Sequence, residues 1–294
     1  MLSFRPLTIE DRPLLHQYFW NMEGRGCEYS FASLFFWGER QICTQFEHPL
    51  ILSRYEDWMS YFYPGTPIYT AQLQEDAKAR GIPLRYWGLT LEDAGILTRS
   101  YPDTFTVTAH RDSFDYIYDI ERLCTLSGKK LQSKRNHCNR FEQDHPGYEV
   151  LPLDDSLLEQ CRQFAIRWYE EHAHLHDPKD YLQEQIAIQK AFDHYHELEM
   201  EGITLFCDLG LVGFSMGNRI RENMFDVCFE KALATVNGAY PMVNREFARH
   251  LHKKYPELRL LDREDDMGIP GLRKAKESYY PDILLEKYTA EEFL

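Results

Sequence analysis

The second half of the chain contains an ordered series of segments that few folds accommodate. After Gly147, YEVLPL alternates like a strand, and two amphipathic helical segments follow, DDSLLEQCRQFAIRWYEEH and a second that ends at Gly202. The next residues, ITLFCDL, LVGFSMGNRI and NMFDVCFEKA, predict a meander of three strands. A helix over 244–255, the strand ELRLLD, and a final helix and strand complete the series. This order predicts an α+β domain whose mixed, mainly antiparallel sheet is flanked by helices.

The first half repeats a blurred version of this order, with a strand, a helix, a hairpin, a helix and a strand. Its hairpin is predicted in QICTQFEHPLILSRY, and its second helix lies in PIYTAQLQEDAKAR. A chain of 294 residues exceeds a typical single domain. We therefore predict two tandem domains of the same kind, over residues 1–134 and 135–294.

The composition of the chain indicates in which cellular compartment the protein works and which ligands it can bind. No segment approaches the apolar length of a membrane span, and the N-terminus lacks the layout of a signal peptide, so we expect a soluble, cytoplasmic protein. The seven cysteines are scattered singly, which argues against a disulfide framework or a zinc ribbon. The net charge of −14 repels nucleic acid at long range, so an anionic ligand requires a local basic site.

One such basic site is predicted in the segment GKKLQSKRNHCNRF, residues 128–141. It contains five basic residues and no acid, and on a helix its apolar side chains face the core while the cations face outward. The candidate phosphate-binding residues are Lys130, Lys134, Arg135 and Arg140, with Asn136 and Asn139 as hydrogen-bond donors. The alternative is a solvated cationic face with no ligand.

The segment LLDREDDMGIPGLRKAKESYYP, residues 260–281, brings both charges together. The acids follow a predicted strand end, where loops commonly carry functional groups, and a Gly/Pro turn leads to a helix with Arg273 and Lys276 on one face. The alternative is a charged turn whose acids and bases pair with each other. The candidate catalytic carboxylates are Glu264, Asp265 and Asp266, joined by Asp226. Asp226 and Glu230, on or just after the strand NMFDVCF, could line the same cleft, and the alternative is an outward-facing pair on that strand.

Histidines occur in two groups that resemble a metal site. The first group is His172, His174 and His176 in EEHAHLHD, and the second is His194 and His196. On a helix only His172 and His176 share a face, and the sequence fixes no third ligand. Histidines near a helix C-terminus interact favourably with the helix dipole without any metal. We therefore predict no metal site.

The two charged segments and the closing ILLEKY resemble the C-terminal catalytic region of phosphatidylglycerol lysyltransferases and related standalone proteins. The element order is similar to that of GCN5-related acyltransferases. The resemblance implies two tandem acyltransferase-like domains, a relation to Fem-type peptidyltransferases, and a catalytic C-terminal domain. Enzymes of that kind take an amino acid from aminoacyl-tRNA and attach it to a lipid or a peptidoglycan precursor.

For this chain the resemblance implies a transferase that moves an aminoacyl group onto an amine or hydroxyl, with aminoacyl-tRNA as donor and no cofactor. Glu264, Asp265 and Asp266 would bind the ammonium group of the substrate or accept its proton, while Arg273 and Lys276 would hold phosphate. Full-length lysyltransferases carry a membrane-embedded N-terminal portion that we do not expect here, so the acceptor stays open between lipid and peptide. CoA is less expected, because ATVNGAYPMVN lacks a Gly-rich phosphate loop.

Two other functions stay open at this stage. One is a non-catalytic protein of the same fold that binds a phosphorylated ligand, and the other is an acyl-CoA-dependent N-acetyltransferase. The identity of the acceptor, the catalytic base and the oligomeric state are not determined by the sequence.

Overall fold

The computed structural model describes residues 1–55, 58–172 and 178–293, and in these residues the chain divides into two compact units. The first comprises Met1–Asp115, Asp265–Ile269 and Leu284–Leu294, and the second Tyr116–Glu264 and Pro270–Ile283. The boundary thus falls at Asp115–Tyr116 rather than at 134–135, and the first unit also takes the C-terminal end of the chain. The sequence prediction assigned that end to the second domain because the closing strand directly follows the charged segment of that domain.

The first unit is built on a seven-stranded sheet of order β1-β2-β3-β4-β5-β14-β6. Its strands are β1 (Arg5–Pro6), β2 (Glu39–Cys43), β3 (Leu50–Tyr55), β4 (Trp58–Phe62), β5 (Arg85–Leu89), β6 (Phe105–Ala109) and β14 (Tyr288–Glu292). Its helices are α1 (Arg12–Phe19), α2 (Phe31–Phe36), α3 (Thr70–Arg80) and α4 (Leu91–Ser100). The predicted hairpin is confirmed as antiparallel β2 and β3, and β14 lies antiparallel between β5 and β6.

The second unit contains the sheet of order β13-β7-β12-β11-β10-β9-β8. Its strands are β7 (Asp115–Asp119), β8 (Glu149–Pro152), β9 (Met200–Cys207), β10 (Gly210–Arg221), β11 (Met224–Ala232), β12 (Leu260–Asp262) and β13 (Ile283–Leu285). Its helices are α5 (Ile120–Thr125), α6 (Gln132–Asp144), α7 (Asp155–His172), α8 (Pro178–Asp193), α9 (Ala239–Lys254) and α10 (Pro270–Glu277). The predicted meander β9–β11 is confirmed, and so is the α+β class.

Each sheet contains the same local arrangement, which confirms the tandem fold. An antiparallel meander, β2–β4 or β9–β11, is followed by a helix and then by a strand parallel to the last meander strand. A parallel pair requires a crossover connection, and α3 and α9 supply it. The crossover helix α9 is amphipathic, and it buries Met242, Val243, Phe247 and Leu251 against the second sheet.

The C-terminal strand of the first unit is preceded by a buried cluster of charges. The Lys287 ammonium lies 2.6 Å from the Asp115 carboxylate and also pairs with Glu28, and its backbone carbonyl accepts a hydrogen bond from the backbone N–H of His110. Burial is the largest single influence and lowers the pKa of Lys287, but the combined attraction of Asp115, Cys27 and Glu28 holds the pKa well above its usual value. Because the ammonium stays charged, it pairs with these two carboxylates in the interior of the first unit.

The second sheet also depends on a close backbone contact at Gly217 of β10. A β-carbon at this position would lie 1.9 Å from the backbone carbonyl oxygen of Asp226 on β11. The contact occurs at a register shift, where Met216 pairs with Phe229 but Asn218 pairs with Asp226. One extra residue on β11 therefore forms a β-bulge, and such bulges reorient side chains locally.

We predict that Gly217→Ala lowers the free energy of unfolding by about 1–3 kcal/mol, because the added methyl group must displace a backbone oxygen. Urea denaturation measures the change. Gly271→Ala is the matched control, since a β-carbon at Gly271 of α10 meets nothing within 4 Å. If both variants unfolded at the same urea concentration, the close contact at Gly217 would not constrain the sheet.

Candidate active site

The second unit has an opening in its sheet where β11 and β12 separate. The two strands are parallel and pair only at Met224–Leu260, Phe225–Leu261 and Asp226–Asp262. Beyond these pairs β11 continues to Ala232, whereas β12 ends and the chain turns into the acidic segment. The bulge in β11 lies at the same place. Charged side chains lie at the ends of both strands where they separate.

On one side lies the ion pair of Arg263 and Glu230. A guanidinium nitrogen of Arg263 is 2.8 Å from Oε1 of Glu230, and Oε2 of Glu230 accepts a hydrogen bond of 3.2 Å from the side-chain amide of Asn244 on α9. The guanidinium lies 4.9 Å from the ring centre of Tyr279 and 5.6 Å from that of Tyr118. Burial lowers the pKa of Arg263, but Glu230, Tyr118 and Tyr279 together outweigh that effect and the pKa lies above its usual value. The cation is thus fixed at the end of β12.

The basic helix reaches the same aromatic rings. The Nζ atom of Lys134 lies 4.2 Å from the ring centre of Tyr279, and that of Lys130 lies 5.1 Å from the ring centre of Tyr280. Burial, and then the positive charge of Arg263, lower the pKa of Lys134. These four residues, which we call the lysine–tyrosine edge, place two cations beside the Arg263–Glu230 pair.

On the other side of the separation lies an acidic cluster of Asp226, Cys228 and Glu264. One donor atom from each of the three lies within 4.8 Å of the others, and Asp226 is fully buried. The Cys228 thiol lies 3.6 Å from Oδ2 of Asp226 and 3.5 Å from the side-chain oxygen of Asn218 on β10. Burial, followed by the charges of Asp226 and Glu264, raises the pKa of Cys228 well above its usual value. At neutral pH this thiol is protonated, so it is a hydrogen-bond donor and not a nucleophile.

The structure separates the candidate residues of the acidic segment. Asp226 and Glu264 come together in the second unit, whereas Asp265 and Asp266 belong to the first. Asp266 is fully buried and accepts hydrogen bonds from Arg111, at 3.1 Å, and from the backbone N–H of Gly268. Asp265 accepts one from the backbone N–H of Met267. These contacts stabilise the turn after Glu264.

Of Arg273 and Lys276, the two residues of α10 predicted to hold phosphate, Lys276 has a structural role. Lys276 is buried and donates a hydrogen bond of 2.5 Å to the backbone carbonyl of Arg263. Its own carbonyl accepts a hydrogen bond of 2.7 Å from the hydroxyl of Tyr118. Arg273 lies half-buried on the same helix. Lys276 thereby fixes the backbone that carries Arg263.

The candidate phosphate-binding residues of the basic segment also differ in their contacts. Arg135 donates to the backbone carbonyls of Leu126 and Gly128, and Arg140 pairs with Asp144 at 2.7 Å. Asn136 and Asn139 are exposed on α6. Lys130 and Lys134 are the members of this set that contact the aromatic residues of the candidate site.

Among the histidines, His172 donates a hydrogen bond from Nδ1 to the backbone carbonyl of Trp168 and stacks on its ring at 4.2 Å. His194 and His196 pair with Glu197 and Asp155. His174 and His176 lie outside the residues that the structure describes.

Sequence reasoning missed Arg263, Asn244, Tyr118 and Tyr279, since nothing in the local pattern shows that separate elements bring them together.

Helix α9 begins in close contact with the basic helix. Gly238 precedes α9 with a φ of +85°, and a β-carbon there would lie 2.3 Å from the backbone carbonyl oxygen of His137 on α6. The side chain of His137 also lies 3.2 Å from the side-chain oxygen of Asn237. Gly238, directly before α9, is thus packed against a backbone carbonyl of α6.

Comparison with known proteins assigns the chain to a family. The model of the family "Phosphatidylglycerol lysyltransferase, C-terminal" matches residues 20–291. The chain belongs to this family. The match includes most residues of both units, and it confirms the resemblance inferred from the charged segments.

Solved structures of this family and of related proteins share the fold. A conserved protein of unknown function from Bacteroides thetaiotaomicron is 30% identical, with a TM-score of 0.91 and complete coverage of both chains. L-PGS from Bacillus licheniformis superimposes with a TM-score of 0.63 and 16% identity, over 95% of this chain and 91% of that one. FemX superimposes with a TM-score of 0.57 and 10% identity, over 98% and 97%, which confirms the relation to the Fem fold.

A curated relative, an uncharacterized protein of Mycoplasmoides gallisepticum, is 26% identical over 180 residues. The match covers 61% of this chain and 56% of that protein, so it spans little more than half of the relative's length.

Within residues 1–55, 58–172 and 178–293, no helix has the length and apolar character needed to cross a membrane.

We predict that Glu230→Ala lowers the free energy of unfolding by about 3–5 kcal/mol, because it leaves the Arg263 guanidinium without its carboxylate in a low-dielectric site. The side chains of Arg263 and Glu230 are only 12% and 13% exposed. Urea denaturation measures the loss, and the double variant Glu230→Leu with Arg263→Met should recover much of it.

The control for this prediction is Arg140→Ala, which removes an exposed pair with Asp144 and should cost no more than about 1 kcal/mol. An equal cost for Glu230→Ala and Arg140→Ala would contradict a stabilising role of the buried pair.

Proposed function

We propose that this protein is an aminoacyltransferase that uses aminoacyl-tRNA as donor and transfers the aminoacyl group to an amine or hydroxyl of a lipid headgroup or peptide-like acceptor. The reaction centre would lie where β11 and β12 separate. The observation that carries the proposal is the pair of carboxylates Asp226 and Glu264 at this separation, in a chain of the lysyltransferase family.

The acidic cluster suits the chemistry of an aminoacyl ester. The donor carries an ammonium group close to its reactive carbonyl, and two neighbouring carboxylates are natural partners for that cation. The same carboxylates are within reach of a proton that the acceptor must lose. The buried thiol of Cys228 donates toward Asp226, so it helps to orient that carboxylate.

The proposed step is direct attack. The nitrogen or oxygen of the acceptor forms a bond to the carbonyl carbon of the ester while the bond from this carbon to the ribose oxygen breaks. A carboxylate of the acidic cluster takes the proton from the acceptor, and a proton is returned to the departing ribose oxygen. Asp226 is our candidate for this base, because it lies on a strand and is held by the bulge in β11.

The lysine–tyrosine edge is the proposed contact for the phosphates at the acceptor end of the tRNA. A protein with a net charge of −14 requires local cations to hold a polyanion. Lys130 and Lys134 supply them, and Tyr280, which is 43% exposed, offers a ring on which a base can stack. Arg263 would connect this edge to the reaction centre, since it contacts Tyr279 as Lys134 does.

The packing of α9 favours this donor over acyl-CoA. Acyl-CoA enzymes of this fold commonly bind a pyrophosphate at free backbone N–H groups of a helix start. Here Gly238 brings the start of α9 against the carbonyl oxygen of His137, so that a pyrophosphate at this point would meet a backbone oxygen.

The test is an assay with single tRNAs, each charged with one radiolabelled amino acid, and a panel of amine and hydroxyl acceptors. We expect the native protein to transfer label from one charged tRNA, and Asp226→Asn and Glu264→Gln to reduce the rate by about 100-fold or more at unchanged affinity for uncharged tRNA, which lacks the ammonium group. Glu170→Gln, an exposed change on α7, is the matched control.

Donor binding is tested separately by filter binding. Lys134→Ala should weaken binding of charged tRNA and reduce its salt dependence, because one phosphate contact is lost. Lys253→Ala removes an equal charge from an exposed position on α9 and should leave binding unchanged. Turnover with acetyl-CoA, or equal activity in the native and Asp226→Asn proteins, would refute the proposal.

A further inference from the structure

A second cluster of metal-ligating side chains lies in the second unit, away from the strand separation. His145, Cys207 and Asp208 each offer one donor atom, and these three atoms lie within 4.8 Å of one another. The Nδ1 atom of His145 is 2.5 Å from a carboxylate oxygen of Asp208. His145 is 62 residues distant from Cys207 in the sequence, so the fold and not the local sequence brings the donors together.

Backbone hydrogen bonds fix both segments that carry these donors. His145 follows the last residue of α6, where its N–H donates to the carbonyl of Phe141 and its carbonyl accepts from the N–H of Tyr148. The imidazole ring also packs against the ring of Phe141 at 4.9 Å. Cys207 and Gly210 pair across the β9–β10 hairpin, so Asp208 is the first residue of a two-residue turn. Donors on such fixed elements lose little conformational freedom when a ligand binds.

The described residues contain two other groups of this kind, and each has a competing explanation. The cluster of Cys27, Glu28 and Asp115 already holds a cation, since the Lys287 ammonium pairs with both carboxylates. The cluster of Asp226, Cys228 and Glu264 belongs to the proposed reaction centre. The cluster at His145 differs because Asp208 is 70% exposed, so an ion from solution can reach it.

The donor set indicates which ion would bind. Imidazole nitrogen, thiolate sulfur and carboxylate oxygen are the ligands of zinc, whereas calcium and magnesium select oxygen alone. Zinc is commonly bound by four ligands, and a site with three protein ligands keeps one position for water. Because zinc binds the thiolate and neutral imidazole, binding would release protons and strengthen as the pH rises.

We propose that His145, Cys207 and Asp208 form a zinc site that joins the end of α6 to the β9–β10 hairpin. The ion would replace the hydrogen bond between His145 and Asp208 by two coordinate bonds and add the sulfur of Cys207. Since α6 also carries Lys134 and begins shortly after Lys130, the ion would fix the C-terminal end of the helix that supplies Lys134 to the lysine–tyrosine edge. The site is independent of the proposed transfer reaction, and its test does not require activity.

The test uses the untagged full chain after treatment with a chelator. Zinc is titrated against a chromophoric competitor, and cobalt is used as a spectroscopic substitute. We expect one zinc ion per chain, a higher midpoint of thermal unfolding with zinc, and a thiolate-to-cobalt charge-transfer band in the near ultraviolet.

Two variants and two controls decide the outcome. Cys207→Ser should abolish the charge-transfer band, and His145→Gln should weaken zinc binding by more than the about 10–100-fold that follows loss of a supporting group. His137→Gln, also on α6, and Cys124→Ser, a buried thiol of α5, should bind zinc as the native chain does. Absence of the band in the native chain, or equal zinc affinity in Cys207→Ser and Cys124→Ser, would overturn the proposal. Thermal unfolding without metal confirms that each variant is folded.

Discussion

The candidate site depends on the short parallel pairing of β11 with β12. Three residue pairs hold the strands together, and the strands then separate because β12 ends at Asp262 while β11 continues to Ala232. Backbone groups that leave a sheet must find other partners. Here the N–H of Tyr116 donates to the carbonyl of Glu264, the N–H of Arg263 to the carbonyl of Tyr116, and Lys276 to the carbonyl of Arg263. These bonds fix the two residues that bring opposite charges to the separation.

Burying charges of both signs so close together carries a cost that the surrounding groups offset. The Arg263 guanidinium is compensated by Glu230 and two aromatic rings, and Glu230 in turn by the amide of Asn244. Removing one member of such a network is costly, because a single buried charge without its partner is strongly unfavourable. These contacts hold the charges of the candidate site in place, and the proposed transfer reaction would require such preorganised charges.

Several elements followed from the sequence because their signals are local. The three strands of the β9–β11 meander, the basic helix α6 and the helix α10 after the Gly/Pro turn all lie where alternation, helical periodicity and turn residues predicted them. The domain boundary did not follow, since β14 pairs with β5 and β6, which are distant in sequence. Periodicity predicts that a strand exists but not which strand lies beside it.

The sequence by itself determined the α+β class, the tandem arrangement and the family, because these depend on the order of elements and on charged segments that are continuous along the chain. It also identified Asp226, Glu264 and Lys134 as candidates. Only the tertiary structure decided that Asp226 and Glu264 meet, that Asp266 and Lys276 are held by Arg111 and by a backbone carbonyl, and that Arg263 pairs with Glu230. The physical reason is that the energy of a buried charge depends on its neighbours in space, and the sequence does not specify those neighbours until the chain has folded.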